Sequence, residues 1–266
     1  MSYSLSFHQT FKPERVHISS LISFKSLTAT KEDISHQFAI PTGKTSGKVE
    51  VNLKYAQAAG LLTFYKQKGE YHIKRTNVGD FIFYNDEYLE DELSQLLIHY
   101  MFCKKSSPLI LWSFLFTDFH KSFKSFSRGE FLKYAGQKLN SSINFSPLIG
   151  TYIGDNPLIN IKLLNQKDNS NYLFGKFKMI DHYVHWYAFF LLDFLNDIDG
   201  SRLDFTLSEL QYSGFPEIFG WNSTDVKNLL HMIEKIGTVS LNKQFNNYHI
   251  YINKNLPDAL SNLYYI

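Results

Sequence analysis

The chain has little cysteine, no long hydrophobic run and almost no net charge, and each shortage excludes a class of protein. Cys103 is the single cysteine among 266 residues, so no disulfide can form within the chain and a reducing, cytoplasmic setting is expected. The opening residues, MSYSLSFHQTF, show no secretory signal. The most apolar stretch, 183–195, is too short to span a bilayer and predicts a buried helix, so no membrane partner is expected.

What the chain does contain is enough apolar surface to fold. Hydrophobic residues make up 44% of it and aromatic residues 17%, so burial can offset the entropy of ordering. The net charge of +2 conceals blocks of one sign. Residues 1–79 hold eleven lysines and arginines against five acids, whereas residues 80–100 hold six acids and no lysine or arginine. Such blocks can steer a polyanion, although ordinary solvated faces give the same pattern.

The segment after the Pro41-Thr-Gly break has the order of elements found in a winged helix. From residue 45 to Gly60, apolar positions recur with the spacing of one helical face. Two β-prone runs, 61–65 and 71–74, flank Lys68-Gly69 and predict a hairpin. Upstream, Thr30 is expected to cap a short helix.

The last third repeats this order. Thr206-Leu-Ser-Glu209 has the form of a capping box, Ser223 or Thr224 is expected to cap a helix, and a second hairpin follows. Helices are predicted between the two ends, among them 89–102 and 128–139. We therefore predict an α+β, mainly helical fold with a winged-helix-like DNA-binding unit at 1–85, a helical middle region at 86–200 and a second winged-helix-like unit at 201–266.

Basic and hydroxyl side chains are concentrated where a winged helix meets DNA. Because arginine, the usual reader of guanine edges, is scarce there, we expect backbone contact that is weakly sequence-specific and strongly salt-dependent. A winged helix used only for protein contact is the alternative. A phosphate-loop site at Gly43-Lys44-Thr45 is disfavoured, because Phe38 occupies the position of the motif's first glycine. The predicted DNA contacts are Lys44, Thr45, Ser46, Lys48, Lys54, Lys66, Lys68, Lys74 and Arg75.

The acidic run 86–92, DEYLEDE, is the candidate catalytic and metal site. On a helix, Asp86 and Glu90 would share one face, and two carboxylates at that spacing can hold a magnesium ion that keeps most of its waters. Asp91 is the third candidate catalytic residue. Magnesium beside bound DNA can activate water and stabilise a leaving oxygen. Acids at a helix start also serve simply to complement its dipole, and that interpretation stays open.

The histidines give a weaker signal. His182 and His185 lie one turn apart beside Asp181, which is compatible with a metal or proton-transfer site, but no further ligands follow at a recognisable spacing. A pair of partly buried core histidines is the preferred interpretation. His99 and His231 stand singly on apolar helix faces and are interpreted as core residues.

Three segments resemble the bacterial SspB-like family, whose genes lie beside those of cysteine desulfurase and PAPS-reductase-like enzymes. They are SFHQTF, GKVEVNLKYAQAAGLL and DEYLEDELSQLLIHYMFCKKSSPLILWSFLF, and the resemblance covers about residues 5–120. Two positions depart from the family pattern, since Gln9 replaces glutamate and Glu87 replaces proline. The matching positions are His8, Thr10, Phe11, Gly60, Leu61, Asp86, Tyr88, Leu89, Glu90, Asp91, His99, Tyr100 and Trp112.

The resemblance implies a role in single-stranded phosphorothioate modification of DNA, an anti-phage system. The SspB-like member is regarded as its DNA-binding, magnesium-dependent nicking component, and it works with a desulfurase, a sulfur-transfer enzyme and an ATPase. The alternative is a non-enzymatic winged-helix adaptor that recruits the sulfur-transfer enzymes to DNA.

Overall fold

The computed structural model describes residues 4–43, 47–244 and 247–256. It has an α+β fold with about 51% helix and small antiparallel sheets, so the predicted class is confirmed. The chain divides into two compact units, which are described separately. The first unit comprises Met1–Phe102, Ser107–Trp112 and Ser125–Leu173, and the second comprises Cys103–Ser106, Ser113–Lys124 and Phe174–Ile266.

Thirteen α-helices lie within the described residues, and their ends follow local capping signals. A π-helical segment, Leu115–Phe119, and a 3₁₀ turn, Asp181–Tyr183, interrupt the series. The helices are α1 Arg15–Ile22, α2 Lys31–Phe38, α3 Lys48–Ala58, α4 Asn77–Asp86, α5 Glu92–Cys103, α6 Ile110–Phe114, α7 His120–Ser122, α8 Arg128–Leu139, α9 Ser146–Tyr152, α10 Val184–Asp199, α11 Leu207–Tyr212, α12 Phe215–Phe219 and α13 Ser223–Lys235.

Nine strands in the described part of the chain form three antiparallel sheets of three strands each. The sheet orders are β1-β3-β2, β4-β6-β5 and β7-β9-β8. The strands are β1 Ser26–Thr30, β2 Leu62–Gln67, β3 Glu70–Arg75, β4 Ser125–Ser127, β5 Leu164–Gln166, β6 Asn171–Phe174, β7 Asp204–Thr206, β8 Val239–Gln244 and β9 Asn247–Ile252. Both predicted hairpins are therefore present.

One local arrangement recurs at all three sheets. The last strand in the chain lies between the other two, and the first strand passes directly into a helix that begins with a capping box. In each box a hydroxyl accepts the N3 backbone N–H while the N3 carboxylate accepts the N–H of the capping residue. The pairs are Thr30 with Asp33, Ser127 with Glu130 and Thr206 with Glu209. The predicted helical middle region thus contains a third sheet that the sequence pattern did not indicate.

Helix α3 lies in the core of the first unit. None of its residues is exposed. Tyr55 packs edge-on against Phe7 and Trp112 at centroid distances of 5.2 and 5.9 Å, and its hydroxyl donates to the Phe11 carbonyl at 3.1 Å. Aromatic contacts through Tyr55 therefore anchor α3 in the first unit.

The second unit is built on α10, whose residues Trp186–Leu195 are buried, as the apolar run predicted. Trp221 stacks on Phe219 at 4.2 Å and donates from Nε1 to the Phe177 carbonyl at 3.0 Å. The cap of α13 differs from the prediction. Asn222, not Ser223 or Thr224, caps this helix, because its side-chain oxygen accepts two backbone N–H groups. Across the described ranges, no helix is long and apolar enough to cross a membrane.

Candidate nucleic-acid interface

The hairpin of β2 and β3 carries the best exposed lysines of the predicted DNA contacts. Its turn is Lys68-Gly69, with φ values of +50° and +91°, a left-handed pair that suits a tight two-residue hairpin turn. Gln67 pairs with Glu70 on either side of the turn. Lys66, Lys68 and Lys74 are all exposed, so the hairpin presents three cationic side chains to solvent.

The two faces of this sheet differ in chemistry. On the solvent face Tyr65, which is 60% exposed, stacks on His72 with a centroid distance of 4.6 Å, and His72 Nδ1 lies 3.1 Å from the Thr28 hydroxyl. Lys74 is two residues beyond His72 on the same strand and shares that face. Lys66 lies on the other side, with its Nζ 5.0 Å from the centre of the Tyr71 ring.

The lysines of α3 are held by neighbouring glutamates instead of projecting freely. Lys48 Nζ lies 2.5 Å from Glu14 Oε1, and Lys54 Nζ lies 2.9 Å from Glu50 Oε1. Both side chains are about one quarter exposed. Helix α3 therefore does not present the exposed face that a recognition helix needs to enter a DNA groove. The predicted contacts Lys44, Thr45 and Ser46 lie outside the described residues.

Arg75 is buried, at 5% exposure, and the structure gives it an internal role. Its Nε donates to Asp80 Oδ1 at 2.5 Å, and one terminal nitrogen donates to the Ile22 carbonyl at 2.7 Å. The guanidinium also lies 4.1 Å from the centre of the Phe83 ring. Arg75 therefore ties β3 to α4 and cannot extend a DNA footprint in this conformation.

The acidic run forms a turn between two helices, and the prediction that Asp86 and Glu90 share a helix face is wrong. Helix α4 ends at Asp86 and α5 begins at Glu92. Between them Leu89 is buried and has a left-handed φ of +58°, which breaks the helix. Asp86 accepts the backbone N–H groups of Glu90 and Asp91 at 3.0 and 2.9 Å. Those N–H groups precede α5 and need acceptors, so the carboxylate closes the turn.

The remaining carboxylates of the turn are more open. Glu90 is 74% exposed, with its Oε1 4.0 Å from an Arg15 nitrogen, and Asp91 accepts the Leu93 N–H at 2.7 Å. No group of three or more metal-ligating side chains converges in the residues that the structure places. Magnesium needs only one or two protein carboxylates besides water, and each Asp86 oxygen keeps a lone pair. Carboxylate oxygens are ligands that magnesium prefers, so Asp86 and Glu90 stay the predicted ligands.

The histidines divide between core and surface. His99 is fully buried and its Nδ1 lies 3.0 Å from the Tyr152 hydroxyl, so its prediction as a core residue is confirmed. His231 is wrongly predicted as core, because it is about half exposed and its Nδ1 lies 3.5 Å from Glu234 Oε2. The prediction of two partly buried core histidines is wrong for His182, which is exposed in the 3₁₀ turn, whereas His185 is half-buried in α10.

The sequence pattern also missed a cleft of about 680 Å³ in the second unit, lined by α13 and residues 176–181. The signal was present in α13, where polar residues occupy the side opposite a regular apolar stripe.

Comparison with known proteins places the fold. Residues 47–148 match a family described as a protein of unknown function (DUF4007). None of the curated proteins matches the chain. A magnesium-ion-bound crystal structure of SspB has a TM-score of 0.74 and 14% identity, and a second SspB crystal structure has a TM-score of 0.75 and 15% identity. Each match covers 97% of this chain and 86% of the SspB chain. The chain therefore shares the SspB fold, as its sequence resemblance predicted.

Proposed function

We propose that this protein is the DNA-binding, magnesium-dependent nicking component of a bacterial single-stranded phosphorothioate modification system that acts against phage. The observation that carries the proposal is the SspB fold over nearly the whole chain. Its partners would be DNA and the desulfurase, sulfur-transfer enzyme and ATPase of such a system.

The first unit supplies the proposed DNA contact. Its elements α1, β1, α2, α3, β2 and β3 follow the order of a winged helix, and the sheet order β1-β3-β2 is that of a wing pairing back on the first strand. Helix α3 has no exposed residue and its lysines are paired with glutamates. The DNA contact would therefore run through the hairpin of β2 and β3, which is the wing of this unit. Lys66, Lys68 and Lys74 would neutralise backbone phosphates, which gives salt-dependent binding with little sequence preference.

The wing contact is tested by fluorescence anisotropy with a labelled duplex at several salt concentrations. A triple Lys66→Ala, Lys68→Ala, Lys74→Ala variant should bind more weakly, and the slope of log affinity against log salt should fall by about 0.9 for each phosphate that is no longer neutralised. The matched control removes three exposed lysines elsewhere in the same unit, Lys133, Lys138 and Lys167. If both triple variants bind alike, the wing does not bind DNA.

The acidic turn is the proposed catalytic element, formed by Asp86, Glu90 and Asp91. Asp86 and Glu90 would hold magnesium, which when bound supplies charge stabilisation at the phosphodiester and a more acidic water. Asp86 fixes the turn through two backbone N–H groups, and this leaves the Glu90 carboxylate extended into solvent. Asp91 orients the start of α5 through the Leu93 N–H.

Glu90 is the better residue to substitute in a nicking assay, because substitution of Asp86 would also remove hydrogen bonds that hold the turn. With magnesium and supercoiled plasmid, Glu90→Gln should abolish relaxation while duplex binding stays at the wild-type level. Glu92→Gln, another exposed acid two residues away, should nick normally and serves as the control. Nicking by Glu90→Gln at the wild-type rate would remove Glu90 from the site.

The non-enzymatic adaptor is the second candidate, and one observation favours it. Both oxygens of Asp86 already accept backbone N–H groups, so a capping role accounts for its geometry without a metal. An adaptor would bind DNA with the same salt dependence and recruit the sulfur-transfer enzymes. It would leave supercoiled plasmid intact at every magnesium concentration, which separates the two candidates.

A further inference from the structure

The second unit repeats the order of elements from α1 to β3 with one additional helix. Helix α10 and strand β7 are followed by α11 and α12, then by α13 and the hairpin of β8 and β9. The sheet order β7-β9-β8 corresponds to β1-β3-β2. By this correspondence α13 occupies the place in its unit that α3 occupies in the first, immediately before the hairpin.

The corresponding helices α3 and α13 differ in how much of their surface is exposed. Helix α13 buries one stripe, Val226, Leu229, Leu230 and Ile233. Its opposite side is exposed and carries Lys227, Asn228, His231 and Lys235. Helix α3 has no exposed residue. The helix that is free to meet a nucleic acid is thus the one in the second unit, which the charge distribution of the sequence did not favour.

The cleft beside α13 has a second basic wall, and its position is fixed by backbone contacts. Phe177 is 2% exposed, its N–H donates to the Phe219 carbonyl at 2.9 Å, and its own carbonyl accepts the Trp221 indole N–H at 3.0 Å. Lys176 and Lys178, on either side of this anchor, are both exposed and both line the cleft.

The charges of the cleft leave a net attraction for an anion. Lys176 Nζ lies 2.8 Å from Asp225 Oδ1, and these two largely cancel. Among the residues that the structure places, neither Lys178 nor Lys235 has a carboxylate partner at ion-pair distance. Asp181 is the other acid in the lining and opposes them. Two lysines without a carboxylate partner, Lys178 and Lys235, therefore share the cleft with one further acid, Asp181.

We propose that this cleft is a second DNA-binding site, which takes the phosphodiester backbone of a strand. Lys178 and Lys235 would pair with phosphate oxygens from opposite walls, and Asn228 and His231 would hydrogen-bond the adjoining sugar or phosphate. A strand suits the site better than a free nucleotide, because the lining residues of α13 run from Asp225 to Lys235, about 15 Å of helix at about 1.5 Å per residue. The inference rests on the proposed function only in assuming that the protein binds DNA.

The experiment uses the full chain and labelled duplex and single-stranded DNA, followed by fluorescence anisotropy. Lys178→Ala with Lys235→Ala should weaken binding about tenfold. The salt slope should fall by about 1.8 on the duplex and by about 1.4 on the single strand, since each phosphate contact accounts for about 0.9 and about 0.7 respectively. The matched control, Lys105→Ala with Lys124→Ala, removes two exposed lysines of the same unit outside the cleft and should change neither value. Thermal unfolding confirms that both variants are folded.

Asp181→Asn should change DNA affinity in the opposite direction to the lysine substitutions. Removing the one opposing charge should tighten DNA binding, whereas substitution of a merely structural surface residue would not. Fluorescein-labelled adenosine monophosphate and inorganic phosphate distinguish a strand from a free phosphate ligand, and neither should bind measurably at concentrations that saturate DNA.

The outcomes separate this inference from the proposed function. If the wing variant loses affinity while the cleft double variant and Asp181→Asn bind as wild type, the second site alone is overturned. If the nucleotide probe binds tightly and the cleft variant abolishes that binding without affecting DNA, the site takes a free nucleotide and the inference is also overturned. If wild-type protein binds no DNA at low salt, the proposed function fails as well.

Discussion

Arg75 Nε donates to Asp80 Oδ1 across 2.5 Å, while Lys74, its neighbour in the chain, is exposed on the opposite face of the sheet. Alternation along β3 produces this division, because successive side chains of a strand point to opposite faces. The same basic dipeptide thus supplies one residue that holds the first unit together and one that is available to a partner.

Arg75→Ala should therefore cost stability, and Lys74→Ala should cost affinity for DNA. Removal of the Arg75 side chain leaves the Asp80 carboxylate and the Ile22 carbonyl without a partner, and truncation of a buried pair typically costs about 3 kcal/mol or more. Lys74→Ala should stay within about 0.5 kcal/mol of wild type, as for most surface changes. Urea unfolding measures the first effect and anisotropy the second. Equal stability of the two variants would contradict the assignment.

Asp86→Ala should destabilise the junction of α4 and α5. The substitution removes the acceptor of two backbone N–H groups at the start of a helix, an effect comparable with loss of an N-cap, about 1 kcal/mol. Glu90→Gln makes no such change and should unfold at the wild-type urea concentration. A nicking defect in Asp86→Ala that scales with its loss of stability would assign this residue to structure alone.

Glu209 gives the fold a pH-dependent contribution in the second unit. Hydrogen bonds from Arg202, and then from the Thr206 backbone N–H, lower the pKa of Glu209 to about 2 from an ordinary value of 4.5. A carboxyl whose folded-state pKa is depressed stabilises the protein above its unfolded-state pKa, and this contribution is lost as the pH falls through the folded-state value. The stability advantage of wild type over Glu209→Gln should thus be full above about pH 4.5 and shrink toward about pH 2.

Urea unfolding of wild type and Glu209→Gln from neutral pH to about pH 3 measures this difference. Arg202→Gln should reproduce part of the change, since its guanidinium donates to both Glu209 oxygens at 3.0 and 3.3 Å. A difference between wild type and Glu209→Gln that stays constant over the whole range would contradict the prediction.

Gly79 and Gly129 should respond oppositely to alanine. A Cβ on Gly79 would lie 1.9 Å from the Leu61 carbonyl oxygen, so Gly79→Ala forces α4 away from its neighbour and should cost about 1–3 kcal/mol. A Cβ on Gly129, near the start of α8, meets no atom within 4 Å. Gly129→Ala should therefore stabilise by up to about 1 kcal/mol, the helix propensity difference. Thermal unfolding of the two variants is the measurement, and the same sign for both would refute the packing argument.

The local signals in the sequence were the reliable ones. The caps at Thr30 and Thr206, the tight turn at Lys68-Gly69 and the start of α8 after Ser127 are all confirmed. Each depends on hydrogen bonds within three or four residues, so the neighbouring sequence contains all the chemistry that decides them. The winged-helix units, the two boundaries between the three predicted regions and the cytoplasmic location stay predictions.

The α13 cap failed locally, since Asn222 and not Ser223 or Thr224 accepts the N–H groups, but two other failures involved a choice that distant residues make. The acidic run 86–92 could continue a helix or form a turn. In the structure it forms a turn, in which Leu89 is buried and has a positive φ. Periodicity placed His231 on an apolar face, yet packing of the second unit left it at the surface.

By itself the sequence determined where several helices begin, where the hairpins turn and that the fold would be α+β, because short-range hydrogen bonding and periodic burial depend on adjacent residues. Only the tertiary structure decided which charges are available. Lys48 is paired with Glu14, 34 positions earlier in the chain, and Arg75 reaches the carbonyl of Ile22, whereas Lys178 is set outward by the anchoring of Phe177. The sequence alone does not show whether a lysine has a carboxylate partner, because the partner is brought to it only when the chain folds.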